Sequence, residues 1–285
     1  MIIDFHTHTF PATISLKAAD KLAHMAMSKY FIDPNVVSLG EARERAGIDF
    51  CVNLPVMTRP DQVVPVNDSL IRQAEDMRAR GIITFGGMHP DFEQYASELK
   101  RLKEHGIKGI KIHPAYQETD LNDIKFKRII AVAEENDLAV ITHAGLDIGY
   151  LFHNFADPDM IQDIINDIAP SKFVLAHMGG WQGWSDVENY LAGAPVYLDT
   201  AFSLGKITPL EGCEDKLQYR ENLCTDDFVK LCRKHGCNKI LFATDSPWAE
   251  MKEYVDFINS AQLTEEEKNM IYGGNAAVIL GINNK

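Results

Sequence analysis

Two histidines separated by a single residue are the first group in this chain that can do chemistry: His6 and His8, in the segment DFHTH. Residues i and i+2 of a strand project to the same side, roughly 6.5–7 Å apart at Cα. Two imidazoles in that arrangement can bind one metal ion, because neutral imidazole is a common zinc ligand. The pair therefore predicts part of a metal site whose other ligands come from elsewhere in the chain.

Further polar residues stand where short apolar runs end. His143 follows such a run in ITHAG, His177 follows one in LAHMGG, and Asp245 follows one in ATDSP. We interpret His143 and Asp245 as ligands of the same metal ion, since imidazole and carboxylate both suit divalent metals. His177 either binds a second metal or acts as a free acid, base or electrophile.

Lys111 lies in the run GIKGIKIHP, where alternation sets Lys111 and His113 on one side and two isoleucines on the other. If the isoleucines face helices, Lys111 projects into the interior of the fold. It would then pair with a substrate carboxylate or, if carboxylated, bridge two metals. The alternative is a lysine whose amine reaches solvent at the mouth of the site.

Four residues are candidates for substrate binding on weaker grounds. His113 shares the side of Lys111, and His89 in GGMHP ends a strand-like run, which a His-Pro pair also does for purely structural reasons. Arg59 would bind a substrate carboxylate, although most loop arginines are simply solvated. Trp181 would line the pocket or pack the next helix.

The elements that must position these residues are eight short apolar runs separated by segments with helical periodicity, such as 68–81, 92–106, 123–136 and 226–236. Apolar runs of this kind are typical of a parallel sheet covered on both faces. The runs are 2–6, 49–56, 82–88, 109–113, 138–143, 172–177, 196–202 and 239–245.

Eight such units favour an α/β fold, a (β/α)8 TIM barrel formed by one domain over residues 1–285. An open doubly wound sheet is the alternative, but no G-x-G-x-x-G follows an early strand. Long connections after strands 1, 5 and 7, residues 9–40, 144–157 and 203–225, are expected to shape the pocket. The carboxyl ends of barrel strands converge on one face, where active sites form.

Composition limits the partners and the compartment. Lys plus Arg total 28 against 41 Asp plus Glu, so the net charge of -13 disfavours nucleic acid and anionic membranes. The five cysteines form no C-x-x-C pair and no membrane-spanning apolar run occurs, which favours a cytoplasmic protein. We expect a small-molecule substrate, with a homo-oligomer left open.

The ordered set DFHTH, GGMHP, GIKGIKIHP, THAG, LAHMGG, FATDSP and GGNAAVILGI resembles the amidohydrolase superfamily over the whole chain. It is most similar to the amidohydrolase-related branch, which includes aminocarboxymuconate semialdehyde decarboxylase-like enzymes. The resemblance implies that His6, His8, His143 and Asp245 hold one divalent metal, with His177 free or bound to a second. Zinc is the expected metal, as one ion or two.

The resemblance implies a hydrolase of a small amide, cyclic amide, ester or lactone. Asp245 would take a proton from metal-activated water and pass it to the leaving group, with His177 or Lys111 helping to polarise the carbonyl. The first alternative is a metal-dependent decarboxylase of a small unsaturated carboxylic acid. The second is a metal-binding barrel without catalysis. Only the products of the reaction separate the first two.

Overall fold

Nine parallel strands form the frame of the computed structural model, which describes residues 1–282. Each of the eight predicted runs contains a strand, and the third run is divided in two at Phe85. The strands are β1 (Ile3–Thr7), β2 (Phe50–Asn53), β3 (Ile82–Thr84), β4 (Gly86–Gly87), β5 (Gly109–Ile112), β6 (Ala139–Thr142), β7 (Phe173–Leu175), β8 (Tyr197–Asp199) and β9 (Ile240–Leu241).

Hydrogen bonds join these strands into a ring. One sheet has the order β1-β2-β3 and the other runs in sequence from β4 to β9, with all paired neighbours parallel. At the seam, Phe5 N donates to Phe242 O over 2.9 Å, and Asp245 N donates to His6 O over 2.9 Å. At the other junction Phe85 N donates to Asn53 O over 3.0 Å. The predicted barrel is confirmed.

Helices alternate with the strands, and side chains cap several of them. Asn35 accepts hydrogen bonds from Val37 N and Ser38 N, and Asp123 accepts one from Lys125 N. Within residues 1–282 no helix is long and apolar enough to cross a bilayer. The helices are α1 (Ser15–Ala26), α2 (Val36–Ala46), α3 (Val63–Ala79), α4 (Tyr95–Glu104), α5 (Ile124–Glu135), α6 (Pro158–Ile168), α7 (Trp184–Asp186), α8 (Thr225–His235), α9 (Met251–Ser260), α10 (Glu265–Asn269) and α11 (Asn275–Leu280).

The buried side chains of the strands form two layers, because successive strand residues point to opposite faces. Ile110 and Ile112 pack in the layer that also contains Leu99 of α4 and Phe126 of α5. Phe5 and other alternate strand residues form a separate inner cluster. Lys111, between the two isoleucines, is 1% exposed and lines the central cavity. The prediction that Lys111 projects inward is therefore confirmed.

The connection after β1 is more ordered than a long loop. It contains α1, which buries Ser15, Ala19 and Ala23 along one side at a spacing of four residues. Three residues of the same helix, Ala18, Leu22 and Ala26, line the central cavity. The segment thus covers the carboxyl face of the barrel with a helix, because its small apolar residues recur at helical spacing.

Candidate metal centre

The carboxyl ends of the first and last strands bring together three side chains that could hold a metal ion. His6 Nε2 lies 3.1 Å from His8 Nε2. Asp245 Oδ1 lies 3.0 Å from His8 Nε2 and 3.5 Å from His6 Nε2. Ligand atoms bound to one ion at about 2.0–2.1 Å lie roughly 3.0–3.4 Å apart. The three atoms, which we call the metal cluster, therefore have the spacing of a shared coordination site.

Hydrogen bonds on the far side of each ring direct a lone pair into the metal cluster. His8 Nδ1 lies 2.7 Å from the carbonyl oxygen of Leu54, and His6 Nδ1 lies 2.8 Å from Asp199 Oδ2. Because these oxygens accept hydrogen bonds, each Nδ1 carries a proton, and a neutral ring then has a bare Nε2. Two bare nitrogens have no proton to share, whereas a cation between them satisfies both. The donor set therefore fits a divalent metal.

A second pair of imidazoles repeats this arrangement beside the metal cluster. His177 Nδ1 lies 2.8 Å from Ala201 O, and His143 Nε2 lies 3.2 Å from Leu146 O. The remaining nitrogens, His177 Nε2 and His143 Nδ1, are bare and lie 3.0 Å apart. Burial lowers the pKa of both histidines, so both rings are neutral. The ring of His177 lies 5.5 Å from that of His6, centre to centre.

Lys111 adds a positive charge to the base of the cavity. Its Nζ lies 3.2 Å from His6 Nε2 and donates to that bare nitrogen. Burial lowers the pKa of Lys111 to about 8, opposed by the nearby carboxylates of Asp199, Asp245 and Asp147. The amine is still protonated at neutral pH. It therefore competes with a metal ion for His6 and is available to a substrate anion.

Asp245 and His177 are held in an unusual backbone conformation. Their φ angles are 69° and 60°, in the left-handed region that non-glycine residues seldom adopt. His177 N donates to Asp199 Oδ1 over 3.0 Å, which helps to hold this conformation. Burial alone would raise the pKa of Asp245, but His6 and His8, which become protonated at low pH, outweigh burial and keep that pKa well below its ordinary range. Asp245 is therefore a carboxylate, and local strain of this kind is typical of functional sites.

Asp199 connects the two pairs of histidines. Its Oδ2 accepts from His6 Nδ1, while its Oδ1 accepts from the backbone N–H groups of His177 and Ala201 over 3.0 and 3.1 Å. Burial raises its pKa to about 6, so the group is ionised at neutral pH. A second carboxylate behind a metal-ligating histidine fixes the tautomer and the direction of the ring.

His113 and Asp147 form a separate polar pair at the edge of the metal cluster. His113 Nε2 lies 3.7 Å from Asp147 Oδ2. The His113 ring stacks between Tyr116 and His143, with centres 4.0 and 4.5 Å away. Burial raises the pKa of Asp147 to about 7. We refer to His113 and Asp147 as the wall pair.

The polar groups lie at the base of a cavity of about 380 Å³, within the range of small-molecule sites. Apolar side chains form most of its walls. They come from the segment after β1, from the loop after β2 and from the loops after β6, β7, β8 and β9. These wall residues include Phe10, Pro11, Ile14, Ala18, Leu22, Ala26, Leu54, Pro55, Val56, Met57, Leu146, Ile148, Trp181, Phe202 and Trp248.

A family model described as Amidohydrolase matches residues 3–282. The chain belongs to the amidohydrolase family. The match includes every strand of the barrel and every residue of the metal cluster. No curated protein matches the chain in sequence.

Several solved structures share the fold at low sequence identity. The 2,6-dihydroxybenzoate decarboxylase from Rhizobium has a TM-score of 0.69 and 14% identity, with 99% of each chain covered. The 5-carboxyvanillate decarboxylase from Sphingomonas paucimobilis has a TM-score of 0.66 and 15% identity, again with 99% of each chain covered. A dihydroxybenzoic acid decarboxylase from Polaromonas has a TM-score of 0.70 and 15% identity, with 100% of this chain and 98% of that one covered. That structure contains bound manganese and the inhibitor 2-nitroresorcinol.

In this member of the amidohydrolase family, the predicted site residues fall into three groups. His6, His8 and Asp245 form the metal cluster, whereas His143 lies outside that group of three and faces His177. Lys111, His113, His177 and Trp181 also line the cavity.

His89 and Arg59 are not among the residues that line the cavity. His89 is buried, and its Nδ1 accepts from Asp91 N over 3.1 Å, so it orders the turn before α4. Arg59 is 64% exposed and pairs with Asp61 over 3.0 Å. Their substrate-binding roles stay predictions.

Two carboxylates of the site were missed by the sequence-based prediction. Asp199 lies within the run 196–202 and is the last residue of β8, and a buried charge in an otherwise apolar strand is a signal that could have identified it. Asp147 has no comparable signal, because it lies in the loop after β6 and reaches the cavity only through the path of that loop. Their distances to His6 and His113 depend on the closed ring.

Proposed function

We propose that this chain is a metal-dependent decarboxylase of a small unsaturated carboxylic acid. The observation that carries the proposal is that the cavity has apolar walls and one polar end. That end contains the metal cluster and Lys111, which are suited to bind a cation and a carboxylate. During decarboxylation the negative charge of the carboxylate becomes delocalised over the carbon skeleton. An environment poor in water favours this delocalised charge over the localised charge of the carboxylate. An apolar enclosure over a single polar end suits that change.

A divalent ion held by His6, His8 and Asp245 would supply a Lewis acid that binds and orients the substrate. Lys111 adds an ammonium group beside it, 3.2 Å from His6 Nε2. A substrate carboxylate or enol oxygen directed to this end leaves its carbon skeleton against Trp181, Phe202 and other apolar wall residues. We predicted zinc, whereas two structural neighbours contain manganese. Imidazole and carboxylate ligands accept both metals.

The reaction breaks the bond between the carboxylate carbon and the skeleton. The electron pair stays on the skeletal carbon, carbon dioxide leaves, and that carbon takes up one proton. Asp245 is ionised, so it delivers a proton only after accepting one from a substrate hydroxyl group or from solvent. His177, with its bare Nε2, is the second group that can carry this proton.

The structural comparisons support the proposal. The 2,6-dihydroxybenzoate and 5-carboxyvanillate decarboxylases share the fold over 99% of each chain. The likeness at 14 and 15% identity concerns the fold; the lyase reaction is therefore our inference for this chain.

Hydrolysis of an amide, ester or lactone is the second candidate. Asp245 favours it, because an ionised carboxylate within a metal cluster can take a proton from a metal-activated water. The description of the family model points in the same direction. The two reactions share their ligands and differ in the bond that is broken.

The test is a product analysis with the purified protein, stripped of metal and reloaded separately with manganese and with zinc. Unsaturated and aromatic carboxylic acids, amides and lactones are offered as substrates. We expect release of carbon dioxide in a one-to-one ratio with loss of acid, and none from the metal-stripped protein. Hydrolysis of amides or lactones without carbon dioxide would establish the second candidate and reject the first.

A further inference from the structure

The wall pair, His113 and Asp147, presents a hydrogen-bond donor and an acceptor side by side on the cavity wall. Both residues are buried and both line the cavity. The donor and acceptor atoms, His113 Nε2 and Asp147 Oδ2, are 3.7 Å apart, which is too far for them to satisfy each other. Each atom is therefore available to a ligand.

The donor is identified by the other nitrogen of the ring. Tyr116 N donates to His113 Nδ1 over 3.3 Å, so Nδ1 is the bare nitrogen of this histidine. An Nδ1 that accepts a hydrogen bond carries no proton, so the proton of this ring is on Nε2. Stacking between Tyr116 and His143 fixes the plane of the ring, which directs this N–H into the cavity.

The acceptor is identified in the same way. Asp147 Oδ1 accepts the backbone N–H of Gly149 over 2.8 Å, and this bond holds the carboxyl group in place. The second oxygen, Oδ2, faces His113 Nε2 and His143 Nδ1 at 3.7 and 4.0 Å. Neither separation is a hydrogen bond.

A metal ion does not fit the wall pair, although its atoms and His143 Nδ1 lie within 4.8 Å of one another. The separations of 3.7 and 4.0 Å exceed those of the metal cluster. In addition, His113 Nε2 carries a proton, whereas a metal ligand needs a bare nitrogen. An anion does not fit either, because the Asp147 carboxyl group repels it when ionised.

We propose that the wall pair is a subsite for a neutral hydroxyl group of the substrate. A hydroxyl group accepts from His113 Nε2 and donates to Asp147 Oδ2 at once, which matches the donor–acceptor order of the pair. This inference depends on one part of the proposed function, that the substrate occupies this cavity, and not on the reaction that follows. It narrows the substrate class to hydroxy-substituted unsaturated acids whose acid group is held at the metal cluster.

The experiment compares the affinities of benzoate and its 2-, 3- and 4-hydroxy derivatives for the manganese-loaded protein by calorimetry. We expect at least one hydroxybenzoate to bind about tenfold more tightly than benzoate, the effect of one well-made hydrogen bond pair. In Asp147→Leu and in His113→Phe, this ratio should fall to about one. The matched control is Asp120→Asn, which alters an exposed His–Asp pair, His153 with Asp120, and should keep the native ratio.

Two outcomes overturn the subsite. One is that no hydroxybenzoate binds more tightly than benzoate to the native protein, a comparison that does not depend on the folding of any variant. The other is that the tenfold ratio persists in both folded, metal-loaded variants, as metal chelation by the hydroxyl group would cause. Carbon dioxide release from the same acids is measured separately. Its absence despite selective binding would reject the decarboxylase and retain the subsite.

Discussion

The metal cluster and the wall pair consist of the same residue types, buried or partly buried at the same face of one barrel, yet they differ in where their protons lie. In the metal cluster, His8 Nδ1 faces a carbonyl oxygen at 2.7 Å, so its Nε2 is bare. In the wall pair, His113 Nδ1 accepts a backbone N–H at 3.3 Å, so its Nε2 carries a proton. One histidine is thereby suited to bind a cation and the other to donate a hydrogen bond.

The hydrogen-bond partner of one imidazole nitrogen therefore determines whether the other nitrogen can bind a metal ion or donate a hydrogen bond. A histidine and an aspartate near each other do not by themselves make a metal site. The backbone group behind the imidazole selects the tautomer, and the ligand spacing of 3.0–3.5 Å in the metal cluster, against 3.7–4.0 Å around Asp147, agrees with that selection.

The largest effect is expected from replacing His6 and His8 together by alanine. The change removes two of the three atoms of the metal cluster. Bound divalent metal should fall from about one or two ions per chain to below about 0.1, with loss of turnover, because the remaining ligands cannot hold the ion. Elemental analysis of the purified protein measures it.

The control for that variant is His153→Ala, which removes an exposed histidine paired with Asp120. It should keep the native metal content. If the double alanine variant keeps its full metal content, the metal cluster is not the metal site, and the comparison with the wall pair fails.

A loss of about 10²–10⁴ in turnover is expected for Asp245→Asn, because the amide cannot carry the proton that the reaction needs. One side-chain oxygen remains, so metal should still bind. The measurement is kcat together with metal content. Asp147→Asn, the matched buried carboxylate of the wall pair, should lose less than about tenfold, in line with one altered hydrogen bond. Equal losses of turnover in the two variants would contradict the different roles of the metal cluster and the wall pair.

Much of the fold and part of the site could be predicted from the sequence. The eight apolar runs predicted the strands because a strand covered on both faces needs continuous apolar residues. His6, His8, His143 and Asp245 were predicted as one group because each stands at the carboxyl end of a run, and barrel topology brings those ends together. The structure brings His6, His8 and Asp245 within ligand spacing and places His143 against His177. Lys111 followed from alternation with its flanking isoleucines.

The tautomers could not be predicted from the sequence, because the bonds that select them join distant residues. His8 contacts Leu54, 46 positions away, and His6 contacts Asp199, 193 positions away. These contacts depend on closure of the ring and on strand register. The contribution of residues 9–40 to the pocket was predicted, but the helix α1 within them was not, because only the folded chain shows which face of that helix meets the cavity.

Asp199→Asn should weaken metal binding by about 10–100-fold, the usual effect of altering a group behind a metal ligand. Either the amide places its NH2 group against the proton of His6 Nδ1, or it turns and loses the bonds to His177 N and Ala201 N. Competition with a chelator measures the affinity. Asp4→Asn is the control, since Asp4 is a buried carboxylate on the same strand as His6 that bonds Thr244 and backbone N–H groups rather than an imidazole. Equal weakening in both variants would contradict the positioning role of Asp199.

Substitutions in the wall pair are expected to have the smallest effect on metal affinity. They test most directly whether the wall pair and the metal cluster differ in metal binding. His113→Phe keeps the stacking with Tyr116 but removes the Nε2 proton, and Asp147→Leu removes the acceptor. Neither change alters a bare nitrogen of the metal cluster, so metal affinity should change by less than about threefold, well below the 10–100-fold effect of groups that support a ligand. Chelator competition and metal counting measure this. A drop from two ions to one in either variant would show that the wall pair holds a metal, and the tautomer assignment of His113 would then be wrong.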